Sequence, residues 1–303
     1  MSFSQEKQKA AVFSICSNTF LITSKFVDGV LTNSVSIISE AVHSFTDLLA
    51  SIIAFISVKK SSEPADLEHQ YGHGKYEDLS GFAEGALIIL AAVYILYESI
   101  EKILTHKIDY IDSFAGIVVM SISIILNIFV SKYLFKTAKK TDSMALFADA
   151  EHLRTDILTS LGVLASLILI KVTGIKILDP LTAILVALLI LKTGYKLCSE
   201  TIANLLDTSL PESEKEIVQN IIDSYCKNKI FEVNQLKTRK SGPERLIEFT
   251  IIVSKDLTVE KSHQLCDEIE IDIKRQLKNA KVTIHTEPCN GSCSRCNLKR
   301  FCN

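Results

Sequence analysis

The chain has 303 residues, 48% of them hydrophobic, no tryptophan and a formal net charge of −2. That length exceeds one average domain, and the near-neutral charge removes the basic signature of a nucleic-acid-binding protein. The mean hydropathy of +0.26 averages two unlike parts: long apolar runs up to about residue 206, then the charge density and short alternations of a water-soluble domain.

Crossing ~30 Å of hydrocarbon at ~1.5 Å per residue takes ~20 mostly apolar residues. Six stretches meet that need: Ala10 to Leu31, Ser34 to Val58, Leu79 to Ile103, Ile111 to Phe135, Met144 to Lys171 and Leu178 to Cys198. The expected architecture is therefore an α-helical polytopic membrane protein with six transmembrane helices in a domain over 1–206. Lys7, Lys9, Lys59, Lys60, Lys75, Lys132, Lys136, Lys139, Lys140, Lys192 and Lys196 collect on one side of such a bundle, against Lys102, Lys107, Lys171 and Lys176 on the other. The excess sets both termini in the cytoplasm of a multi-pass protein of the cell membrane. The first run lacks the short apolar region and small-residue cleavage site of a secretory signal and reads as a retained span.

The second and fifth stretches are diluted with polar residues, and the dilution is periodic. Ser36, Glu40, His43, Asp47 and Ser51 follow at steps of four, three, four and four, which places them on one helix face. Asp149, His152, Asp156 and Ser160 repeat the pattern on the fifth. A charge near the bilayer centre costs about 2.5–3.5 kcal/mol on insertion scales, so both stripes are expected to face protein or a water-filled cavity. Because the two spans run antiparallel, His43 stands one turn outward of Asp47 while His152 stands one turn inward of Asp156. Each level then offers one imidazole and one carboxylate, together a shell of two nitrogens and two oxygens that suits zinc. The competing reading, polar groups that only link helices by hydrogen bonds, is weakened by the repetition of one spacing at equal depth. No H-E-x-x-H helix supports a metallohydrolase. Glu84 is a further charge at membrane depth; Lys25 and Asp28, three apart, read as a pair or as snorkelling ends.

After Pro211 the pattern is helix, strand, strand, helix, strand. PESEKEIVQNIIDSYCKN is amphipathic, EVNQLKTRK and RLIEFTIIV alternate across SGPE, Val259 to Lys278 is helical, and KVTIHTE closes a small sheet. This is an α+β sandwich over 207–288. The tail, 289–303, holds Cys289, Cys293, Cys296 and Cys302 in the pattern C-x3-C-x2-C-x5-C. In a reducing cytosol disulfides are disfavoured, which leaves an all-thiolate zinc, an iron-sulfur cluster, or a flexible thiol tail that captures or senses metal.

SVSIISEAVHSFTD, PADLEHQYGHGKYE and ADAEHLRTDILTSLG resemble, in order and position, signatures of the cation diffusion facilitator family, exporters of zinc and related divalent metals. The resemblance runs from about residue 8 to about 288. It implies a secondary active transporter rather than an enzyme, a homodimer, and a cytoplasmic ferredoxin-like domain. It also implies a transport site of His43, Asp47, His152 and Asp156, with metal moving outward against protons moving inward. Imidazole must be neutral to bind metal, so proton and metal compete. Relatives with Asp in place of the first His often carry iron or manganese, so His43 favours zinc, with iron, manganese, cadmium and cobalt as alternatives.

The resemblance further implies a cytoplasm-facing metal site at Asp66, His69 and His73, whose spacing converges only if the loop forms a helical turn. It implies a regulatory site in the soluble domain to which His263 and His285 correspond, with Glu287 where Asp is usual and Asn234 and Thr250 where His is usual. Lys75 and Asp207 resemble a charge pair at the dimer. A membrane-bound metal sensor is the alternative function, with the span site structural.

Overall fold

A computed structural model describes residues 3–31, 35–105, 114–175, 177–226 and 229–289. Several side chains inside the helices fall outside that description, those of 28–31, 35–43 and 114–120 among them. The sequence candidates Lys25, Asp28, Glu40 and His43, and Cys293, Cys296 and Cys302 of the tail, therefore lie outside the described residues. The chain divides into two compact units, Met1–Ile202 and Ala203–Asn303.

The first unit is built from long helices: α1 (Phe3–Leu31), α2 (Val35–Ser61), α3 (Lys75–Thr105), α4 (Phe114–Thr141), α5 (Met144–Thr173) and α6 (Leu178–Leu205). Among the described residues, three are long and apolar enough to cross a membrane: Lys75–Thr105, Met144–Ile170 and Leu178–Leu205. Helices α1, α2 and α4 are of similar length, at 29, 27 and 28 residues.

Helix α1 starts well before the expected Ala10. Sequence reading stops at Lys7 because a lysine there reads as solvated, yet Lys7 is only 5% exposed and its Nζ lies 2.6 Å from Glu77 Oε1 on α3. The Ser61 hydroxyl donates to the same oxygen at 2.8 Å, and the Ser143 hydroxyl donates to Glu77 Oε2. Ser143 also caps α5, its side chain accepting from the Leu146 amide at 3.4 Å. One buried carboxylate thus gathers the start of α1, the end of α2, the start of α3 and the α4–α5 turn. Beside this cluster, Val58, Val130, Leu134, Leu146 and Leu153 form an apolar core.

A second core, Ile88, Ala92, Ala148, Ile190 and Leu197, seats α3 against α5 and α6. Glycines bring α3 and α6 together: a Cβ on Gly85 would stand 2.7 Å from Cys198 Sγ and 3.4 Å from the Gly194 carbonyl oxygen.

The second unit reads α7 (Glu212–Cys226), β1 (Glu232–Ser241), β2 (Glu244–Val253), α8 (Val259–Gln276) and β3 (Ala280–Pro288). The strands lie in the order β1-β2-β3, β1 antiparallel to β2 and β3 parallel to it, with α8 as the crossover. Alternation decides the packing. Ile247, Phe249, Ile251 and Val253 of β2 are buried together with Val218 and Ile222 of α7 and Leu265, Ile269 and Ile273 of α8.

Candidate metal centre

Asp47 sits midway along α2, and His152 and Asp156 stand one turn apart on α5. Metal-binding atoms of these three side chains lie within 4.8 Å of one another. His152 Nε2 is 3.2 Å from Asp47 Oδ1, and the two side chains are 8% and 14% exposed. The imidazole of α5 faces the carboxylate of α2, with Asp156 one turn along. Metal and hydrogen bond are alternatives for such atoms, since neutral imidazole nitrogen and ionised carboxylate are both ligands. The other ring nitrogen, His152 Nδ1, is buried without a hydrogen-bond partner.

A polar lattice behind the three residues fixes where α2 and α5 stand. Ser51, one turn beyond Asp47, exchanges a 2.9 Å hydrogen bond with Ser14 of α1 and donates to Asp149 Oδ1 at 3.0 Å. Asn18 of α1 donates to Ser51 Oγ at 2.7 Å and to the Asp47 carbonyl at 3.2 Å. Sequence reading places Ser51 and Asp149 on the ligand faces but misses α1 altogether. Its only signal is Ser14 and Asn18, four apart within an apolar run, a spacing that puts both on one helix face.

Glu84 of α3 is fully buried; its Oε1 accepts from Ser80 at 3.1 Å, and its Oε2 has no hydrogen-bond partner.

A cavity of about 630 Å³ reaches this centre, with Asp47 and Asp156 in its wall. Its lining continues along α5 through Ser160 and Ser166 to Glu98 and Lys102 near the end of α3 and Asp179 at the start of α6.

Asp66, His69 and His73 also converge, their donor atoms within 4.8 Å of one another. His73 Nε2 is 3.3 Å from Asp66 Oδ2, His69 Nδ1 is 3.4 Å from Asp66 Oδ1, and the two rings are 4.5 Å apart. The requirement for a helical turn is corrected here, because α3 begins only at Lys75. An Asx-type turn does the work instead: Asp66 Oδ1 accepts the amides of Glu68 and His69 at 2.9 and 2.6 Å. Gly72, at a φ of 84°, turns the chain back toward His73. The His69 amide, the largest influence, holds the Asp66 carboxyl below its ordinary range.

Among the described residues the soluble-domain candidates His263, His285 and Glu287 do not gather into one group of three. His263 of α8 is exposed and lies 3.7 Å from Asp267; His285 is 3.7 Å from Glu287 on β3. Pairing sets Asn234, Thr250 and His285 side by side across the three strands, whereas His263 belongs to the helix. Among the described residues, only the two groups above bring three donors together. Cys289 is held at the end of the sheet, its amide bonded to the Val253 carbonyl at 2.8 Å. Asp207 pairs with Arg239 at 3.1 Å.

Comparison with known proteins gives two family matches in tandem. Residues 11–206 match the cation efflux transmembrane domain, and residues 210–289 match the cytoplasmic domain of cation efflux proteins. An uncharacterised transporter of Synechocystis is 37% identical over 259 residues, covering 85% of this chain and 83% of that one. The cation-efflux pump FieF of Salmonella paratyphi A is 30% identical over 282 residues, 93% of both chains. A solved structure of CzrB in its zinc form is 36% identical over 26% of this chain and 90% of that one, with a TM-score of 0.26.

Proposed function

The chain belongs to the cation diffusion facilitator family, membrane transporters that carry out cation efflux, and from that premise we propose that it exports zinc from the cytosol in exchange for protons. The observation that carries this reading is the convergence of Asp47, His152 and Asp156 at the inner end of a cavity. Two carboxylates and an imidazole favour a borderline metal over a purely hard one, and His43, on the same helix as Asp47, supplies the fourth ligand. Every ligand must lose its proton to bind metal. A site that alternates between a zinc and its protons therefore couples the two flows without further machinery.

All six long helices span the bilayer in this reading, with both termini cytoplasmic. The second unit, a ferredoxin-like fold, joins two copies into a homodimer. Asp66, His69 and His73 take a second zinc on the cytoplasmic side, and the Cys tail captures or senses metal. The soluble domain dimerises, with at most a weak metal site at His263, His285 and Glu287.

The test is transport by the purified chain in sealed vesicles with an acidic lumen. Wild-type vesicles accumulate zinc, and Asp47→Ala and Asp156→Ala reduce uptake to that of empty vesicles while the protein stays folded. Vesicles that bind zinc but never accumulate it would refute export. Uptake that persists after the proton gradient is collapsed would refute the coupling. Iron, manganese, cadmium or cobalt carried faster than zinc would change the cargo and leave the mechanism standing.

A further inference from the structure

His152 Nδ1 of α5 and Glu84 Oε2 of α3 are both buried and both without a hydrogen-bond partner. Their heights match. Helices α3 and α5 run parallel, starting from the point where Ser143, the cap of α5, donates to Glu77 on the first turn of α3. A Cβ on Gly81 would stand 3.8 Å from the Ala148 Cβ, which sets the register of the two helices. Glu84 is three residues beyond Gly81 and His152 four beyond Ala148, rises of about 4.5 and 6 Å. Glu84 is accordingly within electrostatic range of His152 and of Asp149. Asp149 is already engaged with α2 through Ser51, whereas the hydrogen bond that Glu84 accepts comes from Ser80 of its own helix. A carboxyl buried with one oxygen unpaired is unfavourable unless something uses it. The imidazole offers that use. Nε2 of His152 is turned toward Asp47 at 3.2 Å, so a metal held with Asp47 and Asp156 takes Nε2, and the neutral ring that binds it carries its proton on Nδ1. A histidine that ligates metal donates this second N–H to a carboxylate, a carbonyl or water, which fixes the ring and raises its basicity.

We propose that Glu84 is a positioning residue of the metal centre: its carboxyl accepts the Nδ1–H of His152 when metal occupies Nε2. Helix α3 contributes none of the proposed ligands, yet through Glu84 it sets the orientation of one of them. Zinc affinity then depends on how α3 stands against α5, so a shift between these two helices loosens the metal without touching Asp47 or Asp156. The inference rests on the reading of Asp47, His152 and Asp156 as a zinc site.

The test uses the full chain carrying His73→Ala, which weakens the loop site, titrated with zinc by calorimetry. In that background Glu84→Leu is expected to weaken the Asp47-dependent site by about 10–100-fold, and Glu84→Gln, whose amide oxygen still accepts a hydrogen bond, by less. The near-isosteric Glu84→Gln carries the test if Glu84→Leu does not fold. A spectroscopic signature separates positioning from a merely structural role. The chain has seven histidines, so the ring signals of the ¹⁵N-labelled, zinc-loaded protein can be assigned to His152 by their loss in His152→Ala. A downfield Nδ1–H proton is expected there, shifted upfield in Glu84→Gln and further or lost in Glu84→Leu. Zinc affinity unchanged in both variants overturns the proposal, as does weaker zinc with the Nδ1–H signal unmoved, or a signal that answers to Asp149→Asn and not to Glu84. If Asp47→Ala leaves zinc binding intact, the site reading fails and this inference with it; binding that needs Asp47 but not Glu84 sinks this inference alone.

Discussion

At the end of the helical unit where α1 and α3 begin, charges are buried and matched; at the other end, polar groups line open space. Lys7, Ser61 and Ser143 all converge on the Glu77 carboxylate, and α3 and α6 touch through Gly85 and Gly194. Around Asn127, Ser160 and Asp179 there is instead a cavity that reaches Asp47 and Asp156. The same helices build both ends, so the difference lies in side chains rather than in fold. Small residues and paired ions draw the helices together at one end, whereas polar side chains that include Ser160 and Asp179 line a cavity toward the other.

The clamp gives the largest expected effect. Glu77→Ala strips a buried lysine of its partner and is expected to cost about 3–5 kcal/mol, read as a fall in the thermal midpoint of the detergent-solubilised protein. Replacing Lys7 and Glu77 together by methionine removes both charges and should cost far less. If the single substitution is no worse than the pair, charge matching does not hold that end. Next in size is Gly85→Ala, whose added methyl meets Cys198 at 2.7 Å and should cost about 1–3 kcal/mol by forcing α3 from α6. At the open end the matching test is Ser160→Ala in the cavity wall, expected to stay within about 0.5 kcal/mol. Equal losses at the two positions would erase the contrast.

The smallest effect concerns the loop at the clamped end. Because the Asp66 carboxyl is held below its ordinary range, what it contributes to the loop is present above that range and lost only as pH falls through the lowered value. Hydrogen-exchange protection at the Glu68 and His69 amides should therefore survive acidification to about pH 4 and fail below it. Loss already near pH 6 would mean that the Asp66 turn does not order the loop.

How much of this could be read from sequence depends on whether a pattern was periodic. The stripe through Asp47 and Ser51, and that through Asp149, His152 and Asp156, are legible because helical spacing sets them on one face, and an ionisable group within an apolar run demands a partner. The strands of the soluble domain are legible from alternation, down to a residue or two at their ends. Lys7 misleads because a charge at the edge of an apolar run looks solvated until Glu77, seventy positions away, is known to meet it. Asp66, His69 and His73 mislead in the opposite sense: their spacing suggests a helix, while hydrogen bonds between side chain and backbone achieve the same convergence in a loop. Ser123 and Asn127 carry no local signal, and that both line the cavity emerges only from the fold.

Ser143 joins two of these themes. Its hydroxyl ends α5 on one side and touches Glu77 on the other, and His152 follows nine residues later, about 14 Å along a straight helix. Helix α5 therefore behaves as a ruler pinned at its zero mark: the depth of the imidazole is measured from a fixed anchor. Any rocking of α5 must pivot near Ser143, moving His152 sideways more than up or down. Lengthening the α4–α5 turn would leave that depth intact, whereas inserting one residue between Ser143 and His152 would rotate the imidazole by about 100° and take it off the face it shares with Asp47.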